Sequence, residues 1–390
     1  MYIIGDEEIE AVARVIKSGH LFRYHEGGEC ARFEDRWGEY LDRPYVRLCA
    51  SGTNALICAL SSLGVGPGDE VIVPAHTYMA TALAVLSSGA IPVIANIDES
   101  ITLDPDSFEQ WIGARTRAVI PVHMWGLVCD MDRILEIARR HHVLVIEDAC
   151  QCVGGAYKGR AVGSIGDAGA FSFNFFKNMT CGEGGAVISR DKIAHQKVSC
   201  LIDSCGFFWT GKDEGVRPFA SGSARASEFQ GAMLNVQLDR LPGMLERMRN
   251  EKKRILAETA DLDLSPAPCH SLDHECGSHV VYNLPGAAEA DAFAERVDGT
   301  VCGKTGRHTA SEWSPVLDHT GHVNPGMDPF KNKANRECRM DYDPGNYQRS
   351  LDILNRSVMV ATHPGHAETE TDGIIQKIRT AAKEIQAKSS

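Results

Sequence analysis

Between residues 71 and 190 the chain alternates two hydrophobic periodicities. Short runs rich in β-branched and aliphatic residues, EVIVP, IPVIANI, RAVIPVH and VLVIED, are separated by MATALAVLSSG, DPDSFEQWI and DMDRILEIARRH, where apolar residues recur at helical spacing. Such alternation predicts repeated strand, helix, strand units. VLVIE is apolar at nearly every position instead of every second one, the pattern of a strand buried on both faces beneath helices. The expected architecture is therefore an α/β three-layer sandwich on a mostly parallel sheet.

Glycine and proline fall where such units must turn, as in GVGPGDE and SSGAIP. After Ser227 a long helical pattern begins, and Pro242 within it is expected to break or kink the helix. The remainder carries short strand candidates such as HVVYNLP and ends in the amphipathic stretch DGIIQKIRTAAKEIQ. These features divide the chain into a large domain over 20–240 and a smaller α+β domain over 241–390, joined by an N-terminal helix at 1–19. The segment 303–346, rich in His, Asn, Asp and Pro, reads as a loop that serves either as a substrate loop or as plain covering.

Composition narrows the function classes. With 390 residues, 43% hydrophobic and 24% charged, the chain has ample material for a large core. Forty basic against fifty-two acidic residues give a net charge of −12, which disfavours attraction to phosphate backbones and argues against nucleic acid as a partner. The N-terminus MYIIGDEEIEAV is acidic and lacks a signal-like apolar run, and no stretch is long enough to span a bilayer, so a cytoplasmic location is expected. Thirteen scattered cysteines show no paired Cys-x-x-Cys spacing; they read as small buried residues, and no metal is assigned.

In open parallel sheets, ligands collect beyond the carboxyl ends of the strands. That rule selects His76, Thr77 and Tyr78 after VIVP, His123 after AVIPV, Asp148 and Gln151 after VLVIE, and Lys177 after GAFSF. Lys177 lies in the apolar, glycine-bounded stretch FSFNFFKNMTCGEGG, the setting of a desolvated amine that forms a Schiff base with a carbonyl. Asp148 can supply the fixed negative charge that a pyridinium nitrogen requires. In CASGTNALICALSSLG a Gly and two hydroxyls open a helix at Thr53, where free N–H groups suit a phosphate. Each has a plainer meaning too: a strand-end turn, a solvated lysine, an ordinary Ser/Thr cap. His76 and His123 fit either substrate contact or structural hydrogen bonding.

Taken in order, SGTNAL, VPAHTYMAT, VIEDACQ, FSFNFFKNMTCGEGG and RASEFQGAML resemble the succession of motifs in the DegT/DnrJ/EryC1/StrS family of sugar aminotransferases. The resemblance implies a fold-type I transferase dependent on pyridoxal 5′-phosphate (PLP), acting as a homodimer. By this likeness Lys177 would link to PLP and move a proton between substrate and cofactor, and Asp148 would pair with the pyridinium nitrogen. Gln151 would reach the ring hydroxyl and Tyr78 would stack on the ring, while Gly52, Thr53 and Ser172 would hold the phosphate. Relatives acting as sugar dehydratases carry His where this chain has Lys177, so the lysine argues for transamination. One departure stands out: family members commonly place an Asn two residues before the Arg matched by Arg225, contributed across the subunit boundary to the phosphate, and here that position is Ser223.

The resemblance implies amino transfer from glutamate or glutamine to the ketone of a nucleotide-linked keto sugar or a keto cyclitol, in antibiotic or polysaccharide biosynthesis. Two alternatives stay open at this point. The same lysine and cofactor could support elimination, decarboxylation or condensation, or the chain could be a PLP-binding regulator or scaffold.

Overall fold

A computed structural model describes residues 2–211 and 215–389. Among the described residues the central sheet has seven strands: β1 (Val46–Cys49), β2 (Glu70–Pro74), β3 (Ile91–Ala95), β4 (Thr116–Val119), β5 (Leu144–Asp148), β6 (Ala168–Ser172) and β7 (Gly185–Ser189). Their spatial order is β1-β7-β6-β5-β4-β2-β3. The pairs from β3 through β2, β4 and β5 to β6 are parallel, whereas β7 runs antiparallel to both β6 and β1. This is the expected α/β class with a mostly parallel sheet. Strands β2, β3, β6 and β7 are buried at every position, because apolar layers cover both faces.

Register decides where the chemistry collects. Cys49 and Ser172 both lie opposite Gly185, so the ends of β1 and β6 meet at the start of β7. Asp148 pairs with Ala170 at the end of β5. The carboxyl ends of β1, β5 and β6 therefore share one edge, where loops and helix starts converge.

A second sheet is antiparallel throughout: β8 (Ser265–Pro266), β9 (His279–Asn283), β10 (Thr300–Val301) and β11 (Ser357–Ala361), in the order β8-β9-β11-β10. Helices Ala287–Val297 and Glu368–Ser389 pack on it, closing a core of Val280, Tyr282, Phe293, Val358 and Ile378. The smaller unit is thus α+β.

Pro242 does not break the chain where the sequence led one to expect it. One helix, Glu228–Glu258, runs through it. Pro242 sits on the exposed face, while Leu241, Met244 and Leu245 beside it are at most 1% exposed, so tertiary packing outweighs the lost backbone hydrogen bond. The segment 303–346 is mostly covering. Trp313 and Val316 are fully buried in the large core, and Arg339 pairs with buried Glu70 at the start of β2. Only its beginning reaches the candidate site. No helix among the described residues is long and apolar enough to cross a membrane.

Candidate active site

The strand ends surround a cavity of about 510 Å³. Its floor is a helix start. Ser51 caps helix Gly52–Ser62, its hydroxyl accepting from the Asn54 N–H at 3.2 Å, and Gly52 and Thr53 open the first turn, where backbone N–H groups lack helical acceptors. Close packing explains the glycine: a Cβ at Gly52 would lie 2.8 Å from both Cys150 Sγ and Ser172 Cβ. Gly185 is equally confined, since a Cβ there would sit 2.4 Å from the Ser51 carbonyl. Ser172, 6% exposed, presents its hydroxyl beside this turn. Together these residues form a small cradle of N–H and O–H donors suited to an anion.

Asp148 lies at the end of β5 and is 4% exposed. Its Oδ1 accepts the Cys150 N–H at 3.1 Å and its Oδ2 accepts the Thr81 hydroxyl at 2.7 Å. Gln151 and Tyr78 line the same cavity. The Tyr78 ring is 39% exposed and lies 5.6 Å from the His308 ring, with the Arg307 guanidinium 5.4 Å from its centroid.

Lys177 is presented by the loop between β6 and β7, in a turn closed by its N–H to the Asn174 carbonyl at 3.0 Å. Its amine opens into the cavity and joins no salt bridge among the described residues. Burial lowers its pKa below the usual lysine value; the positive charge of Arg307 adds to this, and Cys150 and Asp148 oppose it. A lysine held this way sheds its proton more readily and becomes a better nucleophile.

Comparison with known proteins supplies the lineage of this arrangement. The model of the DegT/DnrJ/EryC1/StrS aminotransferase family matches residues 2–300. The chain belongs to that family. It is 30% identical to the spore coat polysaccharide biosynthesis protein SpsC of Bacillus subtilis, over 98% of this chain and 96% of that one. To GDP-perosamine synthase of Caulobacter vibrioides it is 41% identical, over 54% of this chain; there the match spans only 56% of the relative's length. Among solved structures, S. venezuelae DesV in complex with a ketimine intermediate is similar with a TM-score of 0.74 and 28% identity, covering 97% of this chain and 94% of that one.

Of the eight residues to which the resemblance assigns a place at the cofactor, seven line this one cavity: Gly52, Thr53, Tyr78, Asp148, Gln151, Ser172 and Lys177. Ser223 does not. It is exposed, bridged in antiparallel fashion to Asp203, outside the cavity of its own chain. The two histidines are also elsewhere. His76 is fully buried, with Nδ1 2.8 Å from the Ile101 carbonyl, and burial pushes its pKa down to about 3. His123 is fully buried too: its Nδ1 accepts the Cys129 N–H at 3.2 Å, which leaves Nε2–H to donate to Glu147 at 3.1 Å. Both serve structure.

Several lining residues escaped the sequence reading. Trp125 sits in the left-handed region at φ +49°, and its carbonyl accepts from Ser278 Oγ at 2.8 Å. A bulky residue in that conformation marks a constrained site wall. Ser278 and His279 arrive with β9, and burial holds the His279 imidazole down to about 4. Arg307 and His308 arrive because the Met79 N–H donates to the Arg307 carbonyl at 2.9 Å and the Thr77 N–H to the His308 carbonyl at 3.0 Å. Burial, with the charges of Lys177 and Arg307, lowers the His308 pKa to about 4. A basic and aromatic wall thus faces Lys177. For Arg307 the only advance signal was the polar composition of 303–346.

Proposed function

We propose that this protein is a PLP-dependent aminotransferase that moves an amino group from glutamate or glutamine to the ketone carbon of a nucleotide-linked keto sugar or a keto cyclitol. One observation carries the reading: a lysine amine whose proton is weakened by burial opens into the same cavity as a fixed carboxylate and a helix-start anion cradle. The residues fit the cofactor. The close approach of Cys150 and Ser172 excludes a side chain at Gly52, and the helix-start N–H groups and hydroxyls that line the cavity beside it suit an anion.

In this reading Gly52, Thr53 and Ser172 would hold the phosphate, Tyr78 would cover the ring, Gln151 would serve the ring hydroxyl and Asp148 the ring nitrogen. PLP, when bound, provides an electron sink for the carbon that carries the amino group. Lys177 would hold the aldehyde, and its neutral amine, once free, would serve as the base at the substrate carbon. The low pKa of His308 keeps its imidazole neutral near pH 7, so it can accept a hydrogen bond from a substrate hydroxyl. Arg307, whose guanidinium is in no salt bridge among the described residues, is the cation available to an anionic substituent of either substrate. Support for the substrate class comes from what the relatives named above are called.

The protein is read as a homodimer. Phe208 and Trp209 are 73% and 62% exposed, and the Trp209 ring lies 5.0 Å from half-exposed Phe22. This apolar patch adjoins Ser223 and Arg225 through Asp203, which accepts from Tyr24 at 2.9 Å and from Arg225 at 3.1 Å. In this reading Ser223, exposed on the same side of Asp203, is offered to the partner subunit in the place where the family commonly has Asn, with one hydroxyl of shorter reach than an amide. The thirteen cysteines, including Cys152 and Cys276 with sulfurs 3.6 Å apart, suit the reducing cytoplasm.

The test is a half-reaction. Glutamate or glutamine added to the PLP-loaded protein should bleach the cofactor's visible absorption and release one equivalent of keto acid per site. No spectral change with any common amino donor would refute the reading.

A further inference from the structure

The carboxylate facing the cavity is tied to a second hydroxyl behind the first. Thr81 Oγ1 lies 2.7 Å from Asp148 Oδ2 and 2.7 Å from Thr77 Oγ1. Thr77 and Thr81 are fully buried and Asp148 is 4% exposed. A hydroxyl has one proton to give, and an ionised carboxylate only accepts. Thr81 therefore donates to Asp148, and the short contact behind it requires Thr77 to donate to Thr81. The competing acceptor for Thr77, the Tyr78 carbonyl, is 3.4 Å away, beyond the range of a good O–H···O bond. The proton order runs from Thr77 through Thr81 to Asp148, and each bond polarises the next.

Ordinary capping does not account for these hydroxyls. Helix Ala80–Ser87 begins with Met79 at the N-cap and has no side-chain cap bond. The Thr81 hydroxyl instead crosses to a strand 67 residues away. Thr81 also donates its N–H to the Tyr78 carbonyl at 3.0 Å, so the turn that presents Tyr78 and the carboxylate at the end of β5 are joined through one residue.

We propose that Thr81, backed by Thr77, is a positioning residue: it fixes one oxygen of Asp148, so that the charge meets the cofactor's ring nitrogen from a set direction, and it holds the Tyr78 turn to that carboxylate. This rests on the PLP reading above. The relay matters only if Asp148 faces a protonated ring nitrogen, so a cofactor analogue with C–H in place of that nitrogen separates positioning from packing.

The experiment measures equilibrium binding of PLP and of this carbocyclic analogue to the full-length protein, beside thermal melting of each apoprotein. Thr81→Val keeps the shape and removes the hydroxyl; Thr81→Ser keeps the hydroxyl. A lost hydrogen bond to a charged group predicts roughly 10- to 100-fold weaker PLP binding for Thr81→Val. Thr81→Ser should stay within about threefold of the native protein, and the Thr81→Val loss should shrink to about twofold or less with the analogue. Three results would overturn the proposal: native-like PLP binding by Thr81→Val, equal losses in Thr81→Ser and Thr81→Val, or the same Thr81→Val loss with both cofactors. If Thr81→Val does not fold, Thr77→Val decides: a threefold or greater loss confined to PLP supports the relay, and unchanged binding defeats it. A native protein that takes up no PLP at all would defeat the functional reading first and this inference with it, a result distinct from native uptake matched by Thr81→Val.

Discussion

Replacing Gly52 with alanine tests the cradle where it is tightest. The new Cβ would lie 2.8 Å from Cys150 Sγ, 2.8 Å from Ser172 Cβ and 3.3 Å from Ser172 Oγ. Relaxed carbon contacts fall near 3.5–4.0 Å, so the first two are too close by roughly 0.7–1.2 Å. Ser172 cannot recede, because β6 is held between β5 and β7. Relief must come from outward movement of the helix start, which displaces the N–H groups of residues 52 and 53. Overpacking of this kind costs about 1–3 kcal/mol. Charged against cofactor binding at about 1.4 kcal/mol per tenfold, it weakens PLP affinity roughly 5- to 150-fold. The assay is titration of apoprotein with PLP, followed by visible absorption, with thermal melting of the apoprotein alongside. A dissociation constant within about twofold of native, together with an unchanged melting temperature, would show that the glycine is not needed for the cradle.

Two further predictions use the titrating groups. His76 and His279 are buried and neutral, with pKa values lowered by burial to about 3 and about 4, against an unfolded value near 6.5. A depressed histidine stabilises the fold fully above the unfolded pKa and loses that contribution as pH falls toward the folded one. Urea midpoints should therefore decline from about pH 6.5 toward pH 4, each histidine adding at most about 1.4 kcal/mol per pH unit, and a flat profile across that window would refute the assignment. Removing Arg307 takes away a positive charge that lowers the Lys177 pKa, so Arg307→Ala should shift the pH dependence of PLP uptake to higher pH; an identical profile would exclude Arg307 from the electrostatics of that amine.

Much of this site was legible because it is built from chain ends of regular strands. The buried runs of β2, β5 and β6 announce themselves by composition, and the residues at or beyond their ends, Tyr78, Asp148 and Lys177, follow from where such strands must stop. Gly52 and Thr53 were readable as a helix start. What escaped has a physical reason in each case. Trp125 owes its place to a left-handed backbone that no local propensity announces, and Ser278 and His279 reach the cavity only because β9 begins beside that turn. Arg307 and His308 depend on backbone bonds between irregular segments more than two hundred residues apart. His76 and His123 occupy the expected strand ends but point into packed interior, a choice of side that a lone histidine in sequence does not reveal. At Pro242 local chemistry predicted a break or a kink, and packing of its buried neighbours keeps the helix unbroken.

The central claim is that the Lys177 amine links covalently to the aldehyde of PLP. Borohydride reduction of the PLP-incubated protein, followed by proteolysis and peptide mass spectrometry, reads that bond directly. A pyridoxyl group is expected on the peptide spanning Lys177, and none when Lys177→Ala is treated in the same way. An unmodified Lys177 peptide, or a reduced adduct on another lysine instead, would contradict it.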